Sequence, residues 1–423
     1  MHMFSPFRIW VGPSLYVVVT KPEDVEILAK HGLLNTDCYL EKVMTRFLGS
    51  ELDANGGEQW RKQRKTIDRL FNSDVLEKYL EEFNNHSQTL ITKLTLLADG
   101  SPFDPYPIVG LCILDAVWET IIGINVNAQK NKGDPFIQNT ERMLALFNER
   151  SVRPWLSFDY LYYLTSRGRE QKIVEKVFRN FVEETIASRI KKGTEGKRQS
   201  FLDVLIRVSA EEGNLVSKKM TDEVCTAIAT AHGTLATSLN FVLVMLGLHP
   251  DLQVKVVQEL REIFSEDWRR PVTAEDLGRM DYMDRFIKET MRFFPVVSYI
   301  APEVKEDLKL STCTLPAGCQ ADILNYFTHR DPRHWPDAGR FDPDRFLPER
   351  SQGRHPYCYL PYGAGPQMSI GSKYPALLLK TVLATLLRNY KILAAVTQDA
   401  LNEMRIGLVL KPVGGFKIRM IPR

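Results

Sequence analysis

Candidate chemistry in this chain begins with the stretch Pro361-Tyr362-Gly363-Ala364-Gly365-Pro366-Gln367-Met368-Ser369-Ile370-Gly371. Its glycines and prolines mark an irregular, bent loop whose backbone can approach a partner closely. Apolar residues at helical spacing follow: Leu377 to Leu379, Val382, Leu383, Leu386, Leu387 and Tyr390. Such a loop offers backbone N–H groups and a positive helix end to an acceptor. It also has the form of a plain tight turn before a core helix. A second place is Thr230-Ala231-His232-Gly233-Thr234, inside Thr221 to His249, which reads as one long, largely buried helix ending at Pro250. There the Thr234 hydroxyl either meets a ligand or bonds back to a carbonyl one turn earlier. Glu289 and Arg292 stand at i and i+3, before Pro295, so carboxylate and guanidinium share one helix face. Trp60 and Arg64 at i and i+4 likewise put two N–H donors on one face, or serve as packing plus a surface charge.

Composition bounds the classes. The chain has 423 residues, 44% hydrophobic and 25% charged, which is globular composition. Length alone suggests two or three domains, yet no Gly/Ser-rich or low-complexity seam separates them. The net charge of +3 supplies no field for nucleic acid, so none is expected as a partner. The local run Arg61-Lys62-Gln63-Arg64-Lys65 reads as a solvated helix face or a docking surface for an acidic partner. The cysteines at 38, 112, 225, 313, 319 and 358 form no CxxC pair, which reads as a reducing compartment without disulfides. The longest apolar candidate, Leu239 to Leu248, already contains Asn240, so neither a transmembrane helix nor a signal peptide is expected.

The elements that must position these residues are mostly helices. Phe7 to Val11 and Leu15 to Thr20 flank Gly12-Pro13 as a β-hairpin, and Pro22-Glu23-Asp24 opens a helix. Ser73 and Asp74 can cap a helix whose apolar positions run from Val75 through Leu80 and Phe83 to Leu94. Gln171 to Lys191 reads as a long amphipathic helix, and Thr273 to Asp276 as a capping box. Leu308 to Leu310, Cys313 to Gly318 and Ala321 to Leu324 read as short hairpin strands. Ile406 to Leu410 with Phe416 to Met420 reads as a terminal hairpin. Pro375 removes an N–H, so the helix after the loop is expected to start near Ser372 or Lys373.

From residue 7 onward these motifs, in this order, resemble the cytochrome P450 superfamily, and most nearly its animal family-4 branch. The loop resembles the haem-binding pattern aromatic-x-x-Gly-x-Arg-x-Cys-x-Gly, with Tyr362, Gly365 and Gly371 in place and Gly363 within it. The resemblance puts Ser369 at the iron-ligand position and Gln367 at a propionate-arginine position. It makes Trp60 and Arg64 propionate donors and Thr234 the oxygen-groove threonine. Gly233 stands for the groove's acid, and the family's arginine near Pro302 is absent. Glu289, Arg292 and Arg345 match the family's buried triad. The fold implied is mainly α with small β-sheets, one domain over residues 1–423. Beside microsomal relatives it looks N-terminally shortened by roughly 70 residues, without their membrane anchor.

The resemblance implies a haem monooxygenase of lipophilic, fatty-acid-like molecules, served by an NADPH-cytochrome reductase at the endoplasmic reticulum membrane. A chain without the anchor would be cytosolic or peripheral. The departures argue against that chemistry. A cysteine ionises near pH ~8.5, whereas a serine hydroxyl is closer to water at ~15.7. Holding serinate at neutral pH without a metal costs about 12 kcal/mol. A weak or absent Ser369–iron bond, doubtful haem occupancy and weak or lost activity are therefore expected. Cys358, upstream of the loop, is not expected to substitute. The alternative is a non-catalytic scaffold that binds an apolar ligand.

Overall fold

The structure is a computed structural model that describes residues 6–11, 14–31, 33, 77, 79–151, 153–156, 158–193, 200–211, 218–363, 373–407 and 409–423. Its first elements are the expected hairpin, β1 (Phe7–Val11) and β2 (Ser14–Val19), paired antiparallel with Phe7 opposite Val18. Helix α1 (Pro22–Lys30) follows, with Pro22 at its start and Glu23 and Asp24 in its first turn. Asp24 is fully buried and accepts from the Ser311 amide and from the hydroxyls of Ser311 and Thr312. That ties α1 to the far end of the chain.

Next come α2 (Leu80–Leu94), α3 (Tyr106–Ile121), α4 (Pro135–Ser151), α5 (Asp159–Leu164) and α6 (Ser166–Lys192). The apolar stripe read on α2 is buried at Leu80, Phe83, Leu90, Ile91 and Leu94. Its expected caps, Ser73 and Asp74, lie outside the described residues. Then α7 (Phe201–Glu211) leads into α8 (Lys218–Leu248). Helix α8 is apolar nearly all round, so it threads the core, against α3 on one side and the C-terminal sheet on the other. It is long and apolar enough by length and composition to cross a membrane, and 78% of its apolar window is buried inside the fold. The sequence reading expected no such segment. Its charged residues gather in the first turns, and the apolar remainder is broken only by His232 and by Thr, Ser and Asn, which a run of purely apolar residues does not count.

Helices α9 (Pro250–Phe264), α10 (Ala274–Arg279), α11 (Asp281–Phe293) and α12 (Lys373–Asn389) complete the helical body. The capping box at Thr273 and Asp276 forms as read. Pro375 falls in the first turn of α12, where its missing N–H has no intrahelical partner to lose. Helix α12 packs on α2, and the Tyr374 hydroxyl meets Thr120 of α3 at 2.7 Å.

Two strand readings need correction. β3 (Leu308–Lys309) and β4 (Thr314–Leu315) do pair as a hairpin, but β5 (Gln320–Ile323) leaves them and joins β2 in parallel, Val17 opposite Ala321. The tail makes no hairpin of Ile406–Leu410 with Phe416–Met420. Instead β6 (Tyr390–Ala394) pairs with β9 (Ile418–Pro422), and β7 (Met404–Arg405) with β8 (Lys411–Pro412). Ile392, Ile418 and Met420 are all fully buried, whereas Ile406 is exposed. The strand with more to bury took the partner beside α8. That sheet lies very close to the helix. A Cβ on Gly247 would stand 2.5 Å from the Ala394 nitrogen, so only glycine fits there.

One polar group sits badly in this frame. Asp322 is on the same face of β5 as Gln320, with Val18 opposite it. Its Oδ1 is buried without a hydrogen-bond partner, and burial pushes its carboxyl up to about 7. An acid raised from about 3.9 to about 7 in the folded state binds more protons than in the unfolded chain between those pH values. Stability therefore falls as pH rises from about 4 to about 7, by at most about 4 kcal/mol, and stays lower above. Asp322→Asn is expected to stabilise the protein at pH 8 and to change little at pH 4. Urea denaturation at the two pH values checks this. An equal effect at both would show that ionisation of Asp322 is not the cost.

Candidate functional site

The best-built polar centre surrounds Glu289. This carboxylate and the Arg292 guanidinium are both fully buried on α11. Arg292 donates through Nε to Oε2 at 2.7 Å and through Nη2 to Oε1 at 2.8 Å, a bidentate fork. The Asp342 amide adds a third bond to Oε1 at 2.9 Å. Arg345 brings its Nε to 3.5 Å from the same oxygen and donates to the carbonyls of Pro336, Asp337 and Arg340. Arg292 also donates to the carbonyls of His329, Ala338 and Arg340. Burial pushes the Glu289 carboxyl up, and the Arg292 fork pulls against it. Burial lowers Arg345. The three residues matched from sequence are thus brought together as one network.

Cations and rings extend this network. Arg292 lies 5.2 Å from the Trp335 ring centre and Arg354 lies 4.2 Å from it. Trp335 donates from Nε1 to the Cys358 carbonyl at 3.3 Å. The chain then reaches Tyr359, whose hydroxyl donates to the Lys288 carbonyl, and Leu360. Gly363 takes φ +78°, a left-handed conformation that explains the residue type there. Trp60, Arg64, Gly365, Gln367, Ser369 and Gly371 lie outside the described residues.

The α8 segment supplies the other candidate wall. Thr234 is half-buried, and its hydroxyl donates to the Thr230 carbonyl at 2.7 Å. Thr230 does the same to Thr226. His232 points the other way. It is buried, its Nε2 lies 3.0 Å from the Gly110 carbonyl of α3, and burial lowers its pKa to about 4. A neutral ring therefore donates to that carbonyl and moves no proton near neutrality. A Cβ on Gly233 would meet only Leu144 Cδ1, at 3.9 Å, so packing leaves room for a side chain at this point. Pro302 is buried, and its carbonyl accepts from the Ala321 amide at 2.8 Å.

A surface cleft of about 530 Å³ opens elsewhere, lined by His249, Lys255, Phe341 and Gln398 among others. His249 is fifteen residues beyond Thr234. At 1.5 Å per residue the cleft lies about 22 Å along the chain direction of α8 from the threonine, and so is not part of this site.

These features define a helical fold with a long central helix and a buried Glu-x-x-Arg…Arg network joined to the chain that leads to Gly363. A family model for cytochrome P450 matches residues 3–419. The chain belongs to the cytochrome P450 family. It is 35% identical to cytochrome P450 4V2 of Mus musculus, over 98% of this chain and 81% of that protein. It is 31% identical to cytochrome P450 4c3 of Drosophila melanogaster, over 98% and 82%.

The family's cofactor is a haem iron, which favours oxygen chemistry when a thiolate is its ligand. By residue type the chain does not fit that ligand: the loop carries Ser369 and no cysteine, and every described cysteine lies outside it. Burial raises Cys112, Cys225, Cys313, Cys319 and Cys358, with Cys319 and Cys358 at about 11 and Cys225 at about 12. Without a metal beside it, each is a protonated thiol near neutral pH. The Cys358 side chain is fully buried, and its carbonyl accepts from Trp335 Nε1.

The sequence reading missed His329 and Arg354. A lone histidine before Arg-Asp-Pro has no periodicity or spacing that points to a site. The basic residue count around Glu289 also gave no sign that Arg354 would stack on Trp335.

Proposed function

We propose that this chain is a cytochrome P450-family protein whose inherited reaction, haem-dependent monooxygenation of lipophilic, fatty-acid-like molecules, is weak or lost. The observation that carries the reading is at Gly233. Where the family's groove has an acid, this helix has a glycine, although a Cβ there would meet only Leu144 at ordinary contact distance, and Thr234 is turned to a backbone carbonyl. Gly233 supplies no carboxyl to hold or pass a proton at that point of the helix. Ser369 and Gln367 at the ligand and propionate positions, and Pro302 near a second propionate position, point the same way. A haem held here would rely on Trp60 and Arg64 for its propionate and on Ser369 for any axial oxygen. The buried Glu289 network is kept, which supports a retained scaffold able to take an apolar ligand.

Any residual reaction would draw electrons from an NADPH-cytochrome reductase, and the site of action proposed is the endoplasmic reticulum membrane. The test is to purify the full chain with added haemin and record its absorption, reduced and under carbon monoxide. No thiolate-type band is expected. A shifted haem band would leave an altered haem protein, and no stoichiometric haem would leave the scaffold reading. A full thiolate-type band would overturn the proposal.

A further inference from the structure

His329 is buried completely, on the segment after β5. Its Nε2 lies 2.8 Å from the Leu360 amide nitrogen, at the last residue before the Pro361-Tyr362-Gly363 turn. An amide can only donate, so Nε2 accepts, and the ring proton sits on Nδ1. Nδ1 faces the carbonyls of Met291 and Arg292, at the end of α11, without reaching good hydrogen-bond geometry. The His329 carbonyl accepts from Arg292 Nη1 at 2.9 Å. The ring also rests against Tyr359, with centres 5.3 Å apart. One residue therefore touches the ionic network through its backbone and the start of the Gly-rich loop through its ring.

We infer that His329 is a positioning residue for the candidate site: as the Nδ1–H tautomer it holds the Leu360 amide and so joins the Glu289–Arg292–Arg345 network to the chain entering the loop. The surroundings enforce that tautomer. Burial, and then the charges of Arg330 and Arg292, lower the pKa of the ring to about 3, so a second ring proton is excluded at ordinary pH. A protonated ring would lose its only acceptor atom and leave the buried Leu360 N–H unpaired. The network alone does not reach this amide. Arg292 and Arg345 spend their donors on carbonyls and on Glu289, and neither can accept. A histidine between two arginines supplies the acceptor that the cations cannot. This role needs no haem, and it stands whether or not the proposed loss of monooxygenation is right.

Hydrogen exchange on the full-length chain tests it. In His329→Leu, the amides of Leu360, Tyr362 and Gly363 are expected to exchange at least tenfold faster, with α8 and α12 unchanged. His329→Gln places a carbonyl oxygen near the position of Nε2 and is expected to restore protection. Unchanged exchange in His329→Leu, or no rescue by glutamine, would overturn the inference. So would an equal rise in α8, since that reports general loosening. Should neither variant fold, nitrogen NMR of the unaltered protein decides. With its eight histidines labelled, the His329 ring is expected to show an unprotonated Nε2 down to pH 5. An imidazolium signal, or protonated Nε2, at pH 6 would rule the role out.

Discussion

Glu289→Gln is expected to lower the free energy of unfolding by about 3–5 kcal/mol, the range for removing one partner of a buried ion pair. Glutamine keeps the shape and one acceptor but removes the charge. Among the described residues Glu289 is the only carboxylate ion-paired with Arg292 or Arg345. A guanidinium keeps its proton in proteins, so two buried cations would be left facing each other. The carbonyls of His329, Ala338, Pro336 and Asp337 would still accept from them. Carbonyl dipoles offset part of the cost and set the lower end of the range. Whole domains are stable by only about 5–15 kcal/mol, so the variant would stand close to unfolding. Urea denaturation followed by tryptophan fluorescence measures this, with Trp335 next to Arg292 as a local reporter. A loss under about 1 kcal/mol would mean that the network is not what holds this region.

An effect of similar size is expected on cofactor binding. The double variant Ser369→Cys with Gln367→Arg should bind haemin about a thousandfold more tightly than the unaltered chain, with a thiolate-type reduced carbon monoxide band. The arginine adds a charge-assisted bond to a propionate, about 1.5–3 kcal/mol. The thiolate adds a bond that serine makes poorly, because the thiol loses its proton so much more easily. At 1.4 kcal/mol per tenfold, about 4 kcal/mol together gives that factor. Pro302 is best left alone, since its carbonyl pairs with Ala321 and its ring is buried in the sheet edge. Absorbance titration with haemin on both proteins gives the ratio. Equal affinities would place the ligand and propionate contacts elsewhere in this chain and would remove the basis of the proposed loss of function. The same experiment separates the two substitutions if each is also made singly.

Much of the helical frame was legible because helix periodicity carries its own burial pattern. Leu80, Phe83, Leu90, Ile91 and Leu94 declare one face of α2, and all of them are buried, with Glu82, His86 and Ser87 beside them. Thr273 and Asp276 declare a start, because a capping box is local chemistry. The Glu289–Arg292 pair was legible for the same reason, a spacing that meets within one turn. Arg345 was placed by resemblance rather than by spacing, and the fold brings it to 3.5 Å from Glu289.

By itself, then, the sequence determined the helices, the first hairpin, the family pattern and the residue types that depart from it at Gly233, Pro302, Gln367 and Ser369. Tertiary structure alone decided strand partners. A period of two names a strand's faces but not its neighbour, so β5 could join β2 and β9 could join β6 against the local reading. It alone decided that Thr234 bonds to Thr230, that Gly233 has space beside it, and that His329 accepts from Leu360. Those are questions of which atoms lie within bonding reach across distant segments. A hydroxyl or an imidazole has several possible partners, and only the packed chain selects among them.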